Sequence, residues 1–83
     1  MPRNRSEKTT PLTRALLELK AVLSIPYPTE HEGVYYIRRS NAFRNVELAS
    51  PYIYRQLTHI SDRLRRRLID GWLEDPRSLM DKS

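Results

Sequence analysis

Arginine is the residue type in this sequence with the most chemistry to offer, and its spacing shows where. Arg55, Arg63, Arg65, Arg66 and Arg67 fall in one stretch, Ser50 to Asp75, together with Tyr52 and His59. Guanidinium groups bind phosphate and carboxylate through planar, paired N–H donors and stack on aromatic rings. Read as one helix, the stretch carries Arg55 and Arg66 opposite its apolar stripe, with Tyr52, His59 and Arg63 on the flank. A helix face of this kind offers cations at one-turn intervals to a polyanion. Arg67 extends the set, and Arg38, Arg39 and Arg44 lie upstream.

Acidic neighbours decide how much of that charge is free. Asp62 precedes Arg65 by three residues and Arg66 by four; Asp70 follows Arg66 by four and Arg67 by three. Helical pairs at these spacings are worth ~0.2–0.5 kcal/mol each and would partly neutralise the face. Arg55 and Arg63 have no acid three or four residues away. Over the chain, 15 Lys and Arg stand against 10 Asp and Glu, a net charge of +5. Residues 35–67 alone hold eight Arg against Glu47 and Asp62, or +6. The expected partner is therefore a nucleic acid or an acidic protein surface.

Other chemistries find little support. His31 sits between Glu30 and Glu32, but adjacent side chains point apart and cannot converge on one ion, so this reads as a solvated turn. Glycine occurs only at Gly33 and Gly71, which leaves no phosphate-cradling loop. His59 with Asp62 is a single contact and not a catalytic constellation. No enzyme activity, metal, cofactor or small-molecule substrate is expected. The string VELASPYIYRQL does not qualify as a helix-turn-helix, since it lacks a turn glycine and one residue between Ala49 and Pro51 is too short a turn. Cysteine is absent, which favours a reducing, cytoplasmic setting. The polar start, MPRNRSEKTT, is no signal peptide, and no apolar run reaches the ~18 residues of a membrane span.

The elements that must position these residues follow from apolar spacing. Thr10 and Pro11 open a helix over about 11–24, with Leu12, Leu16, Leu19 and Leu23 on one stripe. Ile25-Pro26-Tyr27-Pro28 ends it, because a residue before proline is driven to extended geometry. Val34 to Ile37 favour a strand and Ser40-Asn41-Ala42 a turn, so residues 33–48 are expected as a β-hairpin; the alternative is a short helix capped by Asn41. Ser50-Pro51 then starts one long helix over about 51–74, with Ile53, Leu57, Ile60, Leu64, Leu68 and Trp72 at steps of four, three, four, four and four. The expected fold is α+β, a helix–β-hairpin–helix domain spanning 10–76, with a flexible basic arm at 1–9 and a tail at 77–83. The alternative is all-α, with three helices.

Leu17, Ile69 and Leu73 lie off these stripes and are expected on the surface as a homodimer interface. The functional expectation is a non-catalytic, nucleic-acid-binding accessory or regulatory protein. The alternative is a protein-binding adaptor or inhibitor of a larger complex, of the kind encoded by viruses or mobile elements.

Overall fold

Ser50 is the point from which the architecture is easiest to derive. In the computed structural model, which describes residues 10–26 and 31–75, this one residue ends one helix and starts the next. Its N–H donates to the Val46 carbonyl at 2.8 Å, and its hydroxyl accepts from the Ile53 N–H at 3.3 Å. Pro51 forces the residue before it out of helical geometry, and Ser50 is extended, with φ −159° and ψ 100°. Four helices result among the described residues: α1 Pro11–Leu23, α2 Glu32–Ala49, α3 Pro51–Leu57 and α4 Asp62–Glu74. The basic arm at 1–9, Glu30 of the turn expected around His31, and the tail lie outside the described residues.

α1 forms as its sequence dictates. Thr10 accepts from the Thr13 N–H at 3.1 Å, and Pro11 stands in the first turn where its missing donor costs nothing. Leu12, Ala15, Leu16, Leu19, Val22 and Leu23 are buried on one face. Ser24 closes the helix by donating its hydroxyl to the Lys20 carbonyl at 2.9 Å. α1 is the central element: it lies against both α2 and α4, while α3 rests on α2.

The expected hairpin is not there. Residues 32–49 are one continuous helix, no strand occurs among the described residues, and the class is all-α. Tyr35, Ala42 and Val46 recur at i, i+7 and i+11 and face the core, with Phe43 and Ala49 half-buried beside them. The strand propensity of Val34 to Ile37 is a weak preference that packing overrides. A lone hairpin would also leave its outer edges unpaired, whereas a helix satisfies its backbone internally.

The expected single helix over 51–74 is broken at Thr58–Ser61. Thr58 is extended, His59 has φ 65°, and Ser61 caps α4 by accepting from the Leu64 N–H at 3.3 Å. The break rotates everything after it relative to α3. Ile53 and Leu57 stay in the core, but the face continues through Ile69 and Trp72. Leu64 and Leu68, on the expected stripe, are 46% and 38% exposed, and Ile69, expected outside, is 0% exposed. The four-residue turn is the physical reason: a periodic pattern keeps its phase only while the helix is unbroken.

Ion pairs tie the helices across their seams. Lys20 on α1 meets Asp70 on α4 at 2.6 Å, and Arg38 on α2 meets Glu18 on α1 at 2.8 Å. No buried side-chain nitrogen or oxygen among the described residues lacks a hydrogen-bond partner. No described helix is long and apolar enough to cross a membrane.

Candidate nucleic-acid interface

The arginines divide into those that hold the fold and those that do not. Arg39 belongs to the first group. Its two terminal nitrogens donate to the two oxygens of Asp62 at 3.0 and 2.9 Å, and one also reaches the Tyr35 hydroxyl at 3.2 Å. Arg65 meets the same carboxylate at 2.6 Å, and its Nε donates to the Leu57 carbonyl at 2.6 Å. That second bond satisfies an orphan acceptor at the end of α3. The guanidinium carbons of Arg39 and Arg65 stand 5.3 and 5.1 Å from the centre of the Phe43 ring, within cation–π range. One carboxylate, one ring and two cations thus join α2, the end of α3 and α4.

The electrostatics follow from this geometry. Hydrogen bonds from Arg39 above all, and then from Arg65, hold the Asp62 carboxyl below the usual carboxylate range, against the opposing effect of its partial burial. The same bond to Asp62 raises Arg39, and Glu18 raises Arg38. Of the arginines expected to contact a partner, Arg38 and Arg39 are therefore engaged within the fold.

The second group keeps its charge. Arg44, Arg55, Arg63, Arg66 and Arg67 make no ion pair among the described residues. Of the expected helical pairs, only Asp62–Arg65 forms. Asp62 is saturated by Arg39 and Arg65, and Asp70 turns to Lys20, so neither neutralises Arg66 or Arg67. Tyr52 and Arg55 are exposed on α3, His59 is exposed in the turn, and Arg63 and Arg67 are exposed on α4. Arg66 is half-buried. The turn sets the azimuth of the α4 arginines: with Ile69 and Trp72 inward, Arg63 and Arg67 occupy the outward side, flanked by Leu64 and Leu68.

Arg44 stands apart from this set, on α2. It lines an open groove of about 830 Å³ between α2 and α3, together with Tyr36, Phe43, Leu48, Pro51 and Tyr54. The groove was not foreseen because a hairpin at 33–48 would have scattered these residues over two strands. Nor do α3 and α4 make a compact helix-turn-helix: α3 rests chiefly on α2, and α4 on α1.

The residues expected at a dimer interface separate as well. Leu17 is exposed on α1, Leu73 is half-buried against the core, and Ile69 is wholly inside it. Ile69 has no surface to offer a second chain. The chain matches no family model, and no curated protein and no solved structure is similar to it.

Proposed function

We propose that this chain is a non-catalytic accessory protein that binds nucleic-acid phosphates with Arg55 of α3 and Arg63, Arg66 and Arg67 of α4. Tyr52 and His59 lie on the same two segments and supply a stacking ring and a further donor. The observation that carries the reading is the absence of acidic partners among the described residues: the two carboxylates able to neutralise these arginines from one turn away are both held elsewhere. Among the described residues, four guanidinium groups without an ion pair stand on two consecutive helices. They suit a ligand that brings regularly spaced negative charge.

The test is fluorescence anisotropy with labelled duplex and single-stranded oligonucleotides over 50–300 mM salt. Four phosphate contacts on a duplex predict a slope of roughly −3 to −4 in log K against log salt. Replacing Arg55, Arg63, Arg66 and Arg67 with Ala is expected to weaken binding at least tenfold and to flatten that slope, with the helical circular dichroism unchanged. Arg14→Ala, on α1, is the control and should leave affinity within twofold. Salt-independent binding, or none at 50 mM, would remove the proposal.

A second reading rests on Leu64 and Leu68, which stand exposed beside Arg63 and Arg67. Apolar groups interleaved with arginine are characteristic of protein interface cores, where Arg is enriched. An adaptor or inhibitor docking this face on an acidic protein predicts a stoichiometric partner that survives nuclease treatment in a pull-down.

A further inference from the structure

The three most exposed large apolar side chains among the described residues are Val34 (64%), Ile37 (65%) and Leu48 (73%), and all belong to α2. They fall in a single row. Val34, Ile37, Asn41, Arg44 and Leu48 follow each other at steps of three, four, three and four, the spacing of a coiled-coil seam. The buried side of α2, marked by Tyr35, Ala42 and Val46, points the other way. One helix therefore carries two seams: one filled by its own domain, one open.

We infer that the open seam of α2 is a self-association surface, where a second copy of this chain docks its own α2 antiparallel to the first. The argument for a second copy is that the row complements itself. Aligning two such helices antiparallel so that Ile37 of one lies against Leu48 of the other also sets Asn41 against Arg44. Val34 then falls at the level of Pro51. Ile37 and Leu48 thus meet each other at two points along the seam, while Val34 lies just beyond the end of the facing α2. Each Arg44 guanidinium, which has no ion pair among the described residues, meets an amide oxygen that can accept from it. A parallel pairing would instead stack Arg44 on Arg44, and like charges in one seam repel. A polar residue within a seam is the best attested device for fixing register and orientation.

The size of the row sets the strength. Its exposed apolar surface is roughly 300–400 Å² per chain, within the range of a functional patch on a monomer. With flanking contacts the buried total comes to about 1,000 Å², at the lower limit for a specific interface. A reversible dimer with a dissociation constant on the order of 10 μM is expected. The proposal is independent of nucleic-acid binding, which uses α3 and α4.

Sedimentation equilibrium on the full chain over about 2–200 μM is the test. The expected result is a monomer–dimer transition within that range. The double variant Ile37→Glu, Leu48→Glu should remain monomeric throughout, with the helical signal and melting temperature retained, because both side chains are exposed. Orientation is read by cross-linking, since the natural chain has no cysteine. Asn41→Cys and Arg44→Cys are made as separate proteins, mixed and oxidised. The antiparallel seam predicts a disulfide chiefly between the two different proteins. A monomer at 200 μM, a dimer that survives the double variant, or cross-links chiefly between identical proteins would each overturn the inference.

Discussion

His59 occupies a backbone conformation that few side chains choose. At φ 65° it stands in the left-handed region, where a Cβ crowds the following carbonyl and costs about 1–2 kcal/mol. Histidine is among the residues found there more often than average, which fits the position without removing the strain. His59→Gly is therefore expected to stabilise the domain by about 0.5–1 kcal/mol in urea titration, the relief of strain exceeding the added freedom of the unfolded chain. In an unbroken helix over 51–74 the same change would destabilise by a similar amount, so the sign alone distinguishes the two backbones. Asp62 is the other single residue on which much depends. Its carboxyl is held below its ordinary value, so its contribution is present above the unfolded value of ~3.9 and is lost as pH falls through the lower folded value. Asp62→Asn is expected to cost about 1–2 kcal/mol at neutral pH, discounted for the side chain's partial exposure. The gap in melting temperature between the natural chain and the variant should be full above about pH 5 and narrow progressively as pH falls below the unfolded value of ~3.9.

Among the elements, α1 was fully legible in the sequence and α2 was not, for a physical reason. Apart from Leu17, the large apolar residues of α1 fall on one side, so period and burial agree. Those of α2 fall on two opposed sides, one in the core and one in the open seam, and their contributions to any single-face pattern cancel. With β-branched and aromatic residues at its start, the segment imitates a strand. α3 and α4 show a third case. The spacing of four marks the core face of α3 at Ile53 and Leu57, but Thr58 to Ser61 shifts the phase, so that Ile69 and Trp72 turn inward in place of Leu64 and Leu68; two capping serines at Ser50 and Ser61 mark where each helix begins. Ser50 is the more consequential cap because it is buried and closes two helices at once. Ser50→Ala removes the acceptor for the Ile53 N–H and should cost about 1–2 kcal/mol by thermal or chemical denaturation. Of the residues expected to meet a partner, Tyr52, Arg55, His59, Arg63 and Arg67 are exposed, since an outward helix face is legible from spacing alone. The ion pairs of Arg38 and Arg39 were not legible because their acidic partners, Glu18 and Asp62, lie 20 and 23 residues away in sequence.

On the scale of the whole molecule, charge and core are built by the same helices with opposite faces. α1 contributes six buried residues and gathers α2 and α4 around them. The acids that cross the seams between helices, Glu18, Asp62 and Asp70, are each spent on a cation of another helix. What remains on the outside of α3 and α4 is an arginine surplus. The open seam of α2 lies on a different helix, so a dimer formed there would carry two copies of that surplus. Bivalent contact with one long polyanion would then strengthen binding beyond the affinity of either copy.

The carboxylate of Asp62 has a further consequence in that setting. It engages two guanidinium groups, so on the proposed phosphate-binding reading stability and affinity pull against each other at this one position. A chain that loses the carboxylate, by acid or as Asp62→Asn, holds its helices less firmly but gains one net positive charge beside the arginines of α4. Weaker folding should then accompany tighter, more salt-sensitive binding, a trade-off set by a single side chain at the start of α4.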